Sequence, residues 1–369
     1  MPAHSVMLHH SRKEALEYPR GDMRLGFCEG CGFISNTAFD VQLNEYDSRY
    51  EETQGFSPTF KRFNQGVAEA LISRYELQGK TVLEIGCGKG EFLALLCEMG
   101  VGRGIGFDPA FIPDRLHSDA SDRLTFFKEL YSEKHSHVAA DFICCKMTLE
   151  HISDTAAMIQ TVRRSIGDRR TPVFFQIPNA EYVLDDLAFW DVYYEHCSYF
   201  TAGSLRRLFQ SCGFRVLDVR VEYGSQYLTI DAVPDDAAVA PPAQAEEDLA
   251  DLQSAVQRFA KQVPARIADW QSKLRQFHSA NSRVVLWGGG SKAVAFLNAL
   301  DIQDEVKYAV DVNPFKTGTF LAGTGQEVVA PEFLNEYRPD VIVLMNPIYK
   351  SEVETSLKAM GVQAELLTV

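Results

Sequence analysis

Apolar residues change rhythm several times along the chain. Phe63, Val67, Leu71 and Tyr75 recur every four residues, which predicts an amphipathic helix over residues 60–78. Short apolar runs then alternate with helical stretches. KTVLEIG reads as a strand, GEFLALLCEM as a helix, GRGIGFD and DFICCKM as strands, AAMIQTVRRSI as a helix and PVFFQIP as a strand. SLRRLFQSCGF reads as a helix stopped by Gly213. RVLDVRVEYGSQYLTIDAV reads as two strands joined at Tyr223–Gln226. The pattern lapses in VPDDAAVAPPAQAEED, where alanine, proline and acid predict a linker. Leu249, Leu252, Val256 and Phe259 make one helical stripe; Ile267, Trp270, Leu274 and Phe277 make another. Pro264 is expected to break or kink the helix between them. RVVLWGGG, SKAVAFLNAL, VKYAVDVN, PDVIVLMNP and AELLTV close the chain as a second strand–helix alternation.

Alternation of this kind predicts an α/β protein with parallel sheets. The predicted division is an N-terminal module at 1–59, a first α/β domain at 60–235, a linker with helices at 236–280 and a second, smaller α/β domain at 281–369. Composition narrows the functions. The formal net charge is −14 over 369 residues, with no basic run to attract nucleic acid or an anionic membrane. No apolar run approaches the ~18 residues of a membrane helix, and MPAHSVMLHHSRKEAL lacks the apolar centre of a signal peptide. The 8 cysteines sit mostly in apolar segments such as DFICCKM, as reduced thiols do, so the expected location is cytoplasmic.

The most informative run is VLEIGCGKGEF. A strand leads into Gly86-x-Gly88-x-Gly90 and then into a helix, so the backbone turns sharply and presents free N–H groups. A dinucleotide fingerprint places its third glycine one residue later. With Glu84 two residues before the first glycine, the run resembles motif I of the class I S-adenosylmethionine (SAM) methyltransferases. The resemblance implies that Glu84, Gly86, Cys87, Gly88 and Gly90 hold the methionine and ribose portion of SAM. Asp108, ending the next strand, is placed to accept the ribose hydroxyls. Its plainer reading is a turn-forming Asp before Pro109. Met147 and Thr148, followed by LEHI, lie after the fourth strand, where α/β sheets bind ligands; core packing is the alternative for Met147.

The segment DVYYEHCSYF follows the fifth strand and runs over the same crevice, bringing Tyr193, Glu195 and His196 towards a bound methyl donor. CEGCGFI, VLEIGCGKGEFL, YYEHCSYF and VVLWGGGSKAVAFLN, in that order, resemble the sugar C-methyltransferases. The likeness spans nearly the whole chain. It implies a class I methyltransferase Rossmann-like sheet, a second Rossmann-like domain, and methylation of a carbon next to the ketone of a nucleotide-linked deoxysugar. His196 is the candidate base, Glu195 its orienting or relaying partner, and Tyr193 the donor to the enolate oxygen. The bland reading of His196 is a helix cap or a carbonyl contact. Tyr50, in YDSRYEETQGFSPTF, matches the family's cofactor-covering tyrosine segment loosely, with plain packing as its alternative.

Cys28 and Cys31 form half of a zinc knuckle. The family's other Cys-x-x-Cys is missing, leaving either a start codon assigned too late or a decayed site. His4, His9 and His10 precede the pair but read as a solvated tail. In the second glycine run, Gly290, Ser291, Lys292 and then Asn313 and Lys316 suit the diphosphate of a nucleotide-sugar substrate. A nicotinamide site, or a structural Rossmann-like unit with no ligand, are the other readings of that run. The competing functions are an O- or N-methyltransferase on another small molecule and a non-catalytic SAM- or nucleotide-binding protein. Oligomeric state is not legible.

Overall fold

A computed structural model describes residues 1–43, 46–235, 245–302 and 304–369. Residues 236–244 of the predicted linker lie outside the described residues. The strands, in chain order, are β1 (Leu25–Phe27), β2 (Ile34–Asn36), β3 (Thr81–Ile85), β4 (Arg103–Phe107), β5 (Leu124–Phe127), β6 (Phe142–Lys146), β7 (Val173–Pro178), β8 (Ser198–Tyr199), β9 (Phe214–Glu222) and β10 (Tyr227–Pro234). They continue with β11 (Val284–Trp287), β12 (Tyr308–Val310), β13 (Glu327–Val329), β14 (Val341–Leu344) and β15 (Glu365–Thr368).

The first sheet runs β5-β4-β3-β6-β7-β10-β9. Strands β3 to β7 are parallel, and β10 is inserted antiparallel between β7 and β9. This is the class I methyltransferase order. Its central strands are buried and mostly apolar, as expected of strands with helices on both faces. Leu83, Ile143, Phe175 and Leu228 are buried in one cluster; truncating Phe175 to alanine costs about 3–5 kcal/mol. The turn Tyr223–Gln226 falls between β9 and β10, as the apolar alternation predicts. The edge strand β5 is absent from the sequence reading. LTFF, a short run without flanking punctuation, gives little signal.

The second sheet, β13-β12-β11-β14-β15, is wholly parallel. In both sheets the strand order reverses at the first strand: between β3 and β6, and between β11 and β14. The carboxyl ends of those pairs are where α/β sheets open a crevice.

Two expectations are corrected. Pro264 lies inside one continuous helix, Ala245–Ser279. Leu252 packs with Ile34, Leu184 and Tyr199, while Trp270 and Leu274 pack beneath the second sheet. Burial on both sides of the proline compensates its missing N–H. The N-terminal stretch is not a solvated tail. His4 is 1% exposed and His9 0%. Met7 bridges to Tyr50 and His9 to Phe320, so an extended segment threads between the two α/β halves. Only His10 of the three histidines is exposed.

A small third sheet, β1-β2-β8, ties the knuckle hairpin to the predicted catalytic segment, since β2 pairs with Ser198–Tyr199.

Candidate functional site

Both crevices open into one cavity of about 610 Å³. Gly86–Lys89, Met147, Thr148 and Glu150–Ile152 line it from the first sheet. Gly288, Gly290, Ser291, Lys292, Asp311, Lys316 and Asn346 line it from the second.

On the first side the loop needs its glycines. Gly86, Gly88 and Gly90 have φ of 67°, 54° and 81°. A Cβ on Gly86 would stand 2.0 Å from Thr148 Oγ1, and one on Gly88 2.4 Å from Glu52 Oε1. Gly88 N donates to Asp108 Oδ2 at 2.8 Å, and Ala110 N donates to Asp108 Oδ1 at 2.7 Å. The turn-forming reading of Asp108 is therefore present. Each oxygen keeps a second lone pair beyond these contacts, and Asp108 lines the cavity.

Carboxylates dominate this wall. Burial raises Glu84 to about 7, with Asp108 adding to the rise and Lys146 opposing it. Burial also raises Glu52 to about 7 and pushes Asp108 upwards. Glu84 Oε2 and Glu52 Oε2 have no hydrogen-bond partner. The nearby cations are shared with other groups: Lys89 Nζ stands 3.5 Å from Glu52 Oε2, and Lys146 acts on Glu84. Lys89 Nζ donates to the carbonyls of Tyr50 and Ala110 at 2.8 and 3.0 Å, and Lys146 Nζ donates to Asn64 at 2.6 Å. A pyrophosphate would meet acids here. A sulfonium and an ammonium would meet the charge that burial leaves uncompensated. These residues fit SAM: Glu84 would hold its ammonium, Asp108 its ribose, and the Gly86–Gly90 backbone its methionine portion. Cys87 lines the same cradle. Met147 lines it too, at φ 51°, while packing against Phe60, Tyr223 and Tyr227; such a left-handed non-glycine residue costs about 1–3 kcal/mol and is typical of sites.

The wall between the two glycine loops carries Tyr193 and His196, whose rings are 4.2 Å apart. Burial, His151 and Lys292 together hold His196 well below its ordinary value. The helix after it is capped by Thr201 and Ser204, so His196 is no cap. Glu195 faces away from the cavity. Ser5 donates to it through its backbone N at 2.6 Å and its Oγ at 2.5 Å, and the Tyr50 hydroxyl also reaches it. Burial still raises Glu195 to about 7. Tyr50 is buried and lines the cavity.

On the second side, Gly289 N donates to Asp311 Oδ2 at 3.0 Å, the counterpart of the Gly88–Asp108 contact. Ser291 Oγ lies 2.7 Å from Ser5 Oγ. Lys292 grips both carboxylate oxygens of Asp191, the first residue of DVYYEHCSYF. Lys316 Nζ would be 3.7 Å from a Cβ on Gly290, directly over the loop, and 3.5 Å from Asp311. Asn313 is not brought to the cavity. It is 1% exposed, and its Nδ2 donates to Glu51, which also holds Arg115. Its side chain serves the junction between the halves.

Cys28 and Cys31 stand on the knuckle hairpin, exposed and half-buried. Among the described residues no third metal-type ligand joins them. His4 Nδ1 meets the Tyr18 hydroxyl at 2.9 Å and the His9 ring packs on Tyr18 at 4.5 Å, away from any knuckle role.

Sequence reasoning placed Glu150 and His151, in LEHI, at the ligand-binding strand ends without giving either a role, and missed Ser5, Glu52 and Asp191. His151 meets the Tyr46 hydroxyl at 2.7 Å and stacks edge-on to His196 at 4.7 Å. Its signal was its place just after β6, at the carboxyl end next to the switch point. Ser5 and Glu52 gave none, because only tertiary pairing brings them in.

Comparison with known proteins agrees with this geometry. Residues 60–219 match a family described as a methyltransferase domain, and residues 227–366 match the C-methyltransferase C-terminal domain. The C-methyltransferase NovU of Streptomyces niveus is 27% identical over 293 residues, 74% of this chain and 68% of that protein. Among solved structures, magnesium protoporphyrin IX methyltransferase from Synechocystis is 17% identical over 48% of this chain and 84% of its own, with a TM-score of 0.37. A SAM-dependent methyltransferase from Aquifex aeolicus is 16% identical over 48% and 94%, with a TM-score of 0.38. The two structural likenesses add nothing to the sheet order; the family matches and the acid-lined cradle carry the conclusion. The chain is a SAM-dependent methyltransferase whose residues 227–366 are similar to the C-methyltransferase C-terminal domain.

Proposed function

We propose that the protein methylates the carbon next to the ketone of a nucleotide-linked deoxysugar. One observation carries the reading: an acid-lined glycine loop and a lysine-lined glycine loop face each other across a single cavity, with Tyr193 and His196 on the wall between. The acidic side suits the cationic donor. The side bearing Gly290, Ser291, Lys292 and Lys316, at the start of the helix Ser291–Leu300, suits a diphosphate. The sugar then spans the gap towards His196.

When bound, SAM supplies an electrophilic methyl group. Everything else falls to the chain. His196 takes the proton from the α-carbon, and Tyr193 donates to the oxygen on which the enolate charge develops. Glu195, held by Ser5 and Tyr50, positions the loop that carries both. Trp190 and Phe200, both nearly fully buried, keep water out behind them. The eight free cysteines, most of them buried, agree with a reducing, cytoplasmic setting.

The test is carbon acidity without the donor. Incubated in D2O with a nucleotide-linked keto-deoxysugar and no SAM, the protein is expected to exchange the α-proton for deuterium, read by mass spectrometry. His196→Ala should lower the exchange rate by about 10²–10⁴-fold while keeping SAM affinity. Methylation of an oxygen or nitrogen without any α-exchange would overturn the reading.

A further inference from the structure

We propose that Glu150, not Glu195, is the carboxylate that supports His196 as a base: a positioning residue that pairs with the imidazolium formed when His196 takes the substrate's carbon-bound proton. The proposal rests on the C-methylation reading above. Glu150 lies in the short turn Leu149–His151, just after β6. It is 1% exposed, and neither of its carboxylate oxygens has a hydrogen-bond partner. One oxygen of Glu150, one ring nitrogen of His151 and one of His196 all lie within 4.8 Å of one another, and all three residues line the cavity. A buried carboxylate without partners calls for a reason. Glu195 has no such opening, because Ser5 and Tyr50 already occupy it.

The surroundings leave Glu150 as the anion for this ring. Tyr193 packs on His196, and Lys292, which also acts on the ring, is neutralised by Asp191. Cys145, Cys197 and Tyr227 face Glu150 as neutral groups. His151 is held by the Tyr46 hydroxyl and lies 3.1 Å from the Glu195 carbonyl, with His4 acting on it from the N-terminal stretch.

The step balances simply. The carbon–hydrogen bond breaks, its electron pair stays on the substrate as the enolate, and a nitrogen–hydrogen bond forms on His196. The positive ring then stands against a negative carboxylate, so neither charge is buried alone. Burial raises Glu150 to about 8, and burial with His151 and Lys292 holds His196 well below 6.5. The carboxylate and the ring lie within reach of each other, so a charge on one would offset the burial of a charge on the other. Without Glu150, His196 would be too weak a base at neutral pH.

The experiment uses the full chain with ¹⁵N-labelled histidine rings, titrated from about pH 5 to about pH 9 without substrate or donor. In the parent protein the His196 ring is expected to take up a proton near neutral pH. In Glu150→Gln its midpoint should fall by at least about one pH unit, tenfold in proton affinity. With substrate, the acid limb of the kcat/KM profile of Glu150→Gln should move to lower pH by a similar amount and its plateau should drop about 10-fold or more, with SAM affinity unchanged. In Glu195→Gln the limb should stay in place. A His196 ring that stays neutral across the range in the parent, an unchanged midpoint in Glu150→Gln, or a uniform loss of activity with an unmoved limb would each overturn the proposal. If Glu150→Gln does not fold, the titration of the parent decides alone. Because that titration needs no turnover, failure of the sugar reading and failure of this one are told apart.

Discussion

The two glycine loops share a frame and differ in charge. Each follows the first strand of its parallel sheet, and each is pinned by the acid that ends the second strand, Asp108 in one and Asp311 in the other. The resemblance stops there. The first is rimmed by Glu84 and Glu52, with Lys89 turned inward onto backbone carbonyls. The second carries Lys292 and Lys316, each paired with an aspartate, Asp191 and Asp311. On the proposed function a shared backbone device takes ligands of opposite charge, and side chains outside the glycine pattern decide which.

The comparison breaks hardest at Gly86. Gly86→Ala puts a Cβ against Thr148 on a left-handed backbone. Strain and overpacking of about 1–3 kcal/mol each should cut SAM affinity about 100-fold or more, while nucleotide diphosphate affinity holds, both read by calorimetry. Loss of both affinities together in a folded variant would deny the loops separate ligands.

Lys316→Met tests the other side. Removing a charged contact worth about 1.5–3 kcal/mol should weaken nucleotide diphosphate binding about 10-fold and leave SAM binding unchanged.

Acidity should sharpen the contrast. Glu84 and Glu52 are raised from 4.5 to about 7, so protons stabilise the fold: that stability is fully present below about 4.5 and lost as pH rises through about 7. The Tm of the donor-free protein should therefore fall over this window. SAM, binding the ionised acids, should raise Tm by more at pH ~8 than at pH ~5.5. An equal increment at both would mean that these carboxylates do not meet the donor's charge.

The smallest effect belongs to the seam between the loops. Ser5→Ala removes the hydroxyl shared by Glu195 and Ser291 and should cost about 1–3 kcal/mol in chemical denaturation.

Much of the fold was legible because its signals are local. Strand β3, its glycine loop and the hairpin β9–β10 carry periodicity and turn residues within a dozen positions. Tyr193 and His196 followed from where their segment lies relative to the sheet. Glu195 was misread as facing the ring, since alternation along an irregular loop does not say which side chain turns inward. Ser5 was invisible for a related reason: nothing in MPAHSVML announces a partner in the distant loop. The long helix shows the converse, with a strong local breaker at Pro264 overruled by packing on both sides.

Ser5 and Glu195 are separated by 190 positions. At roughly 5–20 residues per second on the ribosome, the serine waits about 10–40 s before its acid is made, and longer for Ser291. The seam thus waits for Ser291, and a product truncated before that residue lacks it even where the first sheet, whose last strand ends at Pro234, has already formed.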